Sequence, residues 1–338
     1  MGFDELYGNE PVKKSLKKTL ETGHVSNSYV FEGMAGVGKR LCADLFAQAL
    51  VCEGEFPKDR PCGTCPACVK ARSRNHPDII RLEQAAQKAS IGVDDVREQI
   101  LSEVFLKPYL ASRRVFIIGD GDVLSPEAQN ALLKVLEEPP EYVTFLICVT
   151  KQDKLLSTVL SRSCVMSFFP LPVEEVNRYL AMRFGGGKTV QLAARLSQGS
   201  IGAAVAFLSA DSVGKLFEGS IEHVIALNRD AAKVRETADF LIEEKENIGE
   251  ITDFMLTFLR DCVFVKSGLE NRVIYDNKLS QMRVFTEGVS KKGLVLAFDR
   301  LTDFKLRLKQ NLNYNASVSE TMMRIWEDFH DKGSGHQV

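Results

Sequence analysis

Ser28-Tyr29-Val30-Phe31-Glu32 runs directly into Gly33-Met34-Ala35-Gly36-Val37-Gly38-Lys39, a short β-branched and aromatic run followed by a glycine-rich turn that ends in lysine. After it, Leu41, Leu45 and Ala49 recur four apart, which is helical spacing. Strand, glycine loop and helix in this order are the context a phosphate-binding loop requires. The glycines Gly33, Gly36 and Gly38 let backbone N–H groups approach phosphate, and Lys39 reaches its terminal oxygens. The next position calls for a Ser or Thr hydroxyl to ligate magnesium, but it holds Arg40, and a guanidinium cannot ligate a cation.

Working outward, Asp78–Leu82, Arg114–Ile118, Val143–Val149 and Cys164–Phe169 are further short runs of the same kind, separated by helical segments. This is the rhythm of an α/β fold with a parallel sheet covered by helices. Ser125-Pro126-Glu127 supplies an N-cap, a first-turn proline and an early acid. The helix predicted from there carries Ala128, Ala131, Leu132, Val135 and Leu136 on one face and stops at Pro139-Pro140. After Pro170 the strand pattern fades. A short helical group reaches about Ala210, with turns at Gly185-Gly186-Gly187 and Gly199–Gly202, and a longer set continues to Phe329. In that set Phe254, Phe258 and Val265, then Leu301, Phe304, Leu308 and Leu312, recur at helical spacing. At 338 residues the chain has room for two or three domains.

A hydrolytic phosphate loop also needs an Asp-Glu pair at the end of a second strand. After Val115-Phe116-Ile117-Ile118 the chain has Gly119-Asp120-Gly121-Asp122, with glycine where the magnesium carboxylate belongs. Asp120 reads as a solvated loop acid. Two magnesium contacts are missing together, so ATP hydrolysis is not expected, whereas Lys39 and the loop amides leave nucleotide retention open.

Cys62, Cys65 and Cys68 form a C-x2-C-x2-C pattern with Cys52 upstream, and four thiolates suit a closed tetrahedral zinc site of structural type. His76 is the minor alternative to Cys52. The loop between Cys52 and Cys62 has too few apolar residues to fold alone, so metal binding would supply its folding energy, on the order of 10 kcal/mol. Lys70, Arg72 and Arg74 nearby read as a solvated basic face. A formal charge of −2 offers no broad attraction to DNA or to an anionic membrane. No stretch approaches a membrane span and MGFDELYGNEPVKK is too charged for a signal peptide, so a cytoplasmic location is expected.

Gly33–Lys39, the cysteine module after the P-loop helix, Ala131–Pro140 (ALLKVLEEPP) and Leu160-Ser161-Arg162-Ser163-Cys164 resemble motifs that occur in this order in bacterial clamp-loader subunits of the AAA+ class. The likeness is good over the first two hundred residues and weak in the C-terminal third. It implies an AAA+ P-loop domain at 1–170 with a four-cysteine zinc module at 52–68, a small helical lid domain at 171–210 and an all-α collar at 211–338 that joins subunits into a ring. The defects at Arg40 and Gly119 are similar to those of the family's delta-prime branch, which does not hydrolyse ATP. Where the family's lid carries a sensor arginine, Gly199-Ser200-Ile201-Gly202 has glycine. Ser161-Arg162 resembles the pair whose arginine reaches the ATP of an adjacent gamma/tau subunit, a catalytic role in trans worth about 10³ to 10⁵ in rate. Ser163 displaces Cys164 by one from the usual Ser-Arg-Cys. The implied partners are gamma/tau, the delta subunit, and, through the assembly, the beta sliding clamp and primer-template DNA. An ATP-hydrolysing gamma/tau-like subunit is the alternative.

Overall fold

The computed structural model describes residues 2–84, 88–209, 211–308 and 313–331. The chain divides into two compact units, Met1–Val205 and Ala206–Val338. Leu312 lies outside the described residues.

The first unit is built on a five-stranded sheet of β1 (Ser28–Glu32), β2 (Ile79–Leu82), β3 (Arg114–Ile118), β4 (Val143–Val149) and β5 (Cys164–Ser167), in the order β2-β3-β4-β1-β5. Every pairing is parallel. Parallel strands need crossovers, and the crossovers cover both faces, so the central strands are mostly apolar. Alternation along each strand divides them between two cores. Tyr29 and Phe31, Val115 and Ile117, Leu146 and Cys148 enter one. Val30, Phe116, Ile118, Phe145 and Ile147 enter the other.

The first core is closed by α1 (Glu10–Thr22), α2 (Lys39–Leu50) and α3 (Pro66–Arg72). The second is closed by α4 (Val93–Val96), α5 (Pro126–Glu137) and α6 (Ser157–Leu160). The helix predicted at Pro126 begins there, with Ser125 Oγ accepting from the Ala128 N–H at 3.1 Å. On α2 the buried face is carried by Cys42, Ala43, Leu45, Phe46 and Ala49, while Leu41, expected on that stripe, is exposed at the mouth of the P-loop cavity. Two strands are shorter than predicted. β5 stops at Ser167, and β2 starts after Asp78, whose buried carboxylate instead accepts the N–H groups of Tyr109, Leu110 and Ala111 at 2.6–2.8 Å. Beyond the sheet, α7 (Val173–Phe184), α8 (Lys188–Leu196) and the start of α9 (Ile201–Ser209) complete this unit.

The second unit is helical among its described residues: the end of α9, α10 (Asp211–Leu227), α11 (Ala232–Glu243), α12 (Ile248–Lys266), α13 (Leu279–Gly288), α14 (Lys291–Arg307) and α15 (Tyr314–His330). Phe254, Phe258, Leu301 and Phe304 are buried as their spacing predicts, whereas Val265 and Leu308 are only half-buried. Met322 is fully buried, Met323 exposed and Trp326 half-buried. Buried Asp261 accepts from the N–H groups of Ile274 and Tyr275, both at 2.8 Å, fastening the connection that follows α12. No helix among the described residues is long and apolar enough to cross a membrane.

The Asp78 bonds hold the segment leading into β3. Replacing Asp78 by Ala leaves three backbone donors without their acceptor, and should lower the unfolding free energy by about 3 kcal/mol, read as a lower urea midpoint.

Candidate functional site

The carboxyl ends of β1, β3 and β4 meet at a cavity of about 670 Å³ lined by Leu6 and Tyr7, the P-loop from Ala35 to Leu41, Gly119, Asp120, Asp122, Thr150, Tyr179, Arg183, Ile201 and Gly202. Ligand crevices in open parallel sheets form at this end of the strands. Here the protein's own groups bind one another across it. The Lys39 ammonium, 8% exposed, donates to the carbonyls of Gly33 and of Met34, the latter at 2.8 Å. Burial pushes its pKa below the ordinary lysine value.

Arg40 spans from the first turn of α2 to the end of β3. Its Nε donates to the Gly119 carbonyl at 3.1 Å and its Nη2 ion-pairs with Asp120. Asp120 is therefore paired with Arg40, and is not the solvated loop acid expected from sequence. Asp122 takes a different duty, accepting from the Thr150 N–H at 2.8 Å and the Thr150 hydroxyl at 3.0 Å, which ties the ends of β3 and β4 together.

The loop is also fastened to the start of α9. Ser200 Oγ donates to the Ala35 carbonyl at 2.9 Å, and the Gly202 N–H donates to the Gly36 carbonyl at 3.0 Å. Gly36 has φ +76, and a Cβ there would lie 2.2 Å from Ser200 Oγ and 3.0 Å from Gly202 Cα. Only glycine fits both the backbone conformation and the approach. The sequence marks Gly202 as the place of a missing arginine; its packing against Gly36 was not legible, because it joins residues far apart in the chain.

Cys52, Cys62, Cys65 and Cys68 bring their sulfurs within 4.8 Å of one another. Cys52 to Cys65 is 4.0 Å and Cys62 to Cys68 is 3.9 Å. A tetrahedron with Zn–S bonds of about 2.3 Å has edges of roughly 3.8 Å, so the 3.9 and 4.0 Å edges match a zinc site and the wider ones, up to 4.8 Å, would close by about 1 Å. Backbone N–H groups of Gly54 and Cys62 point at Cys52 Sγ, that of Cys65 at Cys62 Sγ and that of Cys68 at Cys65 Sγ, at 3.3–3.4 Å. Such donors favour thiolates, and those of Thr64 and Cys65 bring the Cys62 thiol down to about 6. His76, the alternative ligand, is not in the cluster; it is buried, with Nδ1 accepting from the Asp78 N–H at 3.1 Å. Of the nearby basic residues, Arg72 pairs with Glu5, and Arg74 with Glu83 and Asp44.

Arg162 follows α6. Its Nη1 donates to the Thr158 carbonyl at 2.9 Å and to Ser161 Oγ at 3.3 Å, and its Nη2 pairs with Glu137 at 2.8 Å. Ser163 turns inward, its hydroxyl 2.8 Å from Ser28 Oγ and donating to the Val159 carbonyl, and Cys164 opens β5 exposed. Arg162 is not among the residues lining the P-loop cavity.

A parallel sheet with a P-loop after its first strand, and a helical region following it in the chain, define an α/β P-loop fold. Residues 8–172 match the family described as DNA polymerase III, delta subunit. The chain is 26% identical to the DNA polymerase III subunit delta' of Bacillus subtilis, over 94% of its own length and 95% of that protein. It is 26% identical to the tau subunit of the same organism over 98% of its length and 62% of the relative. It is 35% identical to the gamma/tau subunit of Mycobacterium bovis over 53% of its length and 30% of the relative. The chain thus spans less than two thirds of the tau and gamma/tau relatives. The matched family and these relatives are all described as DNA polymerase III subunits.

The purified chain should contain one zinc ion, counted by atomic emission. A strong chelator should release it and make the thiols of Cys52, Cys62, Cys65 and Cys68 reactive, and Cys65→Ser should lower zinc affinity at least about tenfold.

Proposed function

We propose that this chain is a non-hydrolysing subunit of the delta-prime type, which contributes Arg162 in trans to the ATP site of a neighbouring gamma/tau-type subunit. The observation that carries this reading is the Arg40 bridge. In an active P-loop, a hydroxyl and a carboxylate hold magnesium between α2 and the end of β3. Here that span is closed by Arg40 on Gly119 and Asp120, and Lys39 is turned onto its own loop. Magnesium would face a guanidinium, and phosphate would have to displace the loop carbonyls from Lys39. The near end-to-end match with the delta' relative supports the same reading.

In this scheme residues 1–170 form the AAA+ domain, 171–210 the lid and 211–338 the collar through which subunits assemble. Zinc holds the 52–68 module as a structural element. The delta subunit, the beta clamp and primer-template DNA are met through the assembled complex, in the cytoplasm. A second reading, a gamma/tau-like ATPase, is favoured by the match to the tau subunit over 98% of the chain.

Steady-state ATP hydrolysis separates the two. The isolated chain should show no turnover, and addition of gamma/tau-type and delta partners with clamp and primed DNA should produce it. Arg162→Ala should leave the chain folded and slow the ATP site it completes by about 10³-fold. Robust turnover by the isolated chain would establish the second reading, and unchanged turnover with Arg162→Ala would remove the trans role.

A further inference from the structure

Glu137 is the last residue of α5, with Glu138 next to it. A helix C-terminus carries partial negative charge, so an acid there is unfavourable for the helix itself. What Glu137 gains is its contact with Arg162, at 2.8 Å and largely open to solvent. An exposed ion pair of this kind adds little to stability. Helix stability therefore does not account for the carboxylate, and its effect falls on the arginine.

A guanidinium has five N–H donors in a planar fork. In Arg162, Nη1 donates to the Thr158 carbonyl and Ser161 Oγ, and Nη2 forms a 2.8 Å ion pair with Glu137. Among the described residues Nε–H has no hydrogen-bond acceptor, so part of the fork remains for phosphate oxygens, which a guanidinium suits well. Two anchors from different elements, α6 and α5, hold the plane of a side chain that would otherwise sample many rotamers.

We propose that Glu137 is the positioning residue for Arg162, ordering the guanidinium so that its remaining donors are presented to a phosphate of the neighbouring subunit. This rests on the trans role proposed above for Arg162. Glu137 touches neither nucleotide nor reacting atoms and acts only through the arginine.

The test is a double-mutant cycle in the reconstituted loader, with Glu137→Gln, Arg162→Ala and both together, each checked for an unchanged thermal midpoint. Glu137→Gln should lower kcat for ATP by about 3- to 10-fold with KM for ATP little changed, and should add nothing in the Arg162→Ala background. An equal loss in both backgrounds, no loss, or a gain in kcat would overturn the positioning role while leaving Arg162 in place. No effect of Arg162→Ala itself would overturn the trans role, and with it this inference. Raised KM with unchanged kcat would also overturn the proposal, because it would place Glu137 in ground-state binding.

Discussion

The contact from Arg40 to Gly119 and Asp120 joins the first turn of α2 to the carboxyl end of β3. These are the two elements between which P-loop proteins ordinarily hold magnesium. In this chain an internal cation occupies that span, and its partners account for the neighbouring residues. Gly119 supplies a carbonyl in place of a carboxylate, and Asp120 supplies the charge that a guanidinium needs. Asp122 is left to tie β3 to β4 through Thr150. The loop itself is held from the other side by Ser200 and Gly202.

Beneath this lies the geometry of the parallel sheet. Because both faces are covered, β1, β3 and β4 are buried along their length and their ends come out together at one edge. The cysteine module between α2 and β2 follows a different logic. It has little apolar core of its own, and its four sulfurs converge at the spacing of a tetrahedral metal site. Its N–H···S bonds favour the thiolate at Cys62, whereas burial raises the thiols of Cys52 and Cys68.

Arg162 joins the end of α6 to the end of α5, and its ion pair with Glu137 sets a cation beside the acid at that helix C-terminus, the ordinary place of a basic side chain.

Much was legible in the residues alone. The P-loop, the five strands, the Ser125 cap and the cysteine spacing depend on neighbours in sequence, and period-2 or helical patterning reports them directly. The presence of a guanidinium at position 40 and of glycine at 119, in place of a hydroxyl and a carboxylate, is equally plain from the residues themselves. Boundaries such as the start of β2 were misread because Asp78 is claimed by a loop some thirty residues further on. The pairings of Arg40 with Asp120, Arg162 with Glu137 and Gly36 with Gly202 join positions far apart in the chain, with no periodicity to announce them. Sequence by itself determined which chemical groups this protein possesses and which it lacks. Only the tertiary structure decided which of them meet, because that depends on how parallel strands and their crossovers bring distant segments to one edge of the sheet.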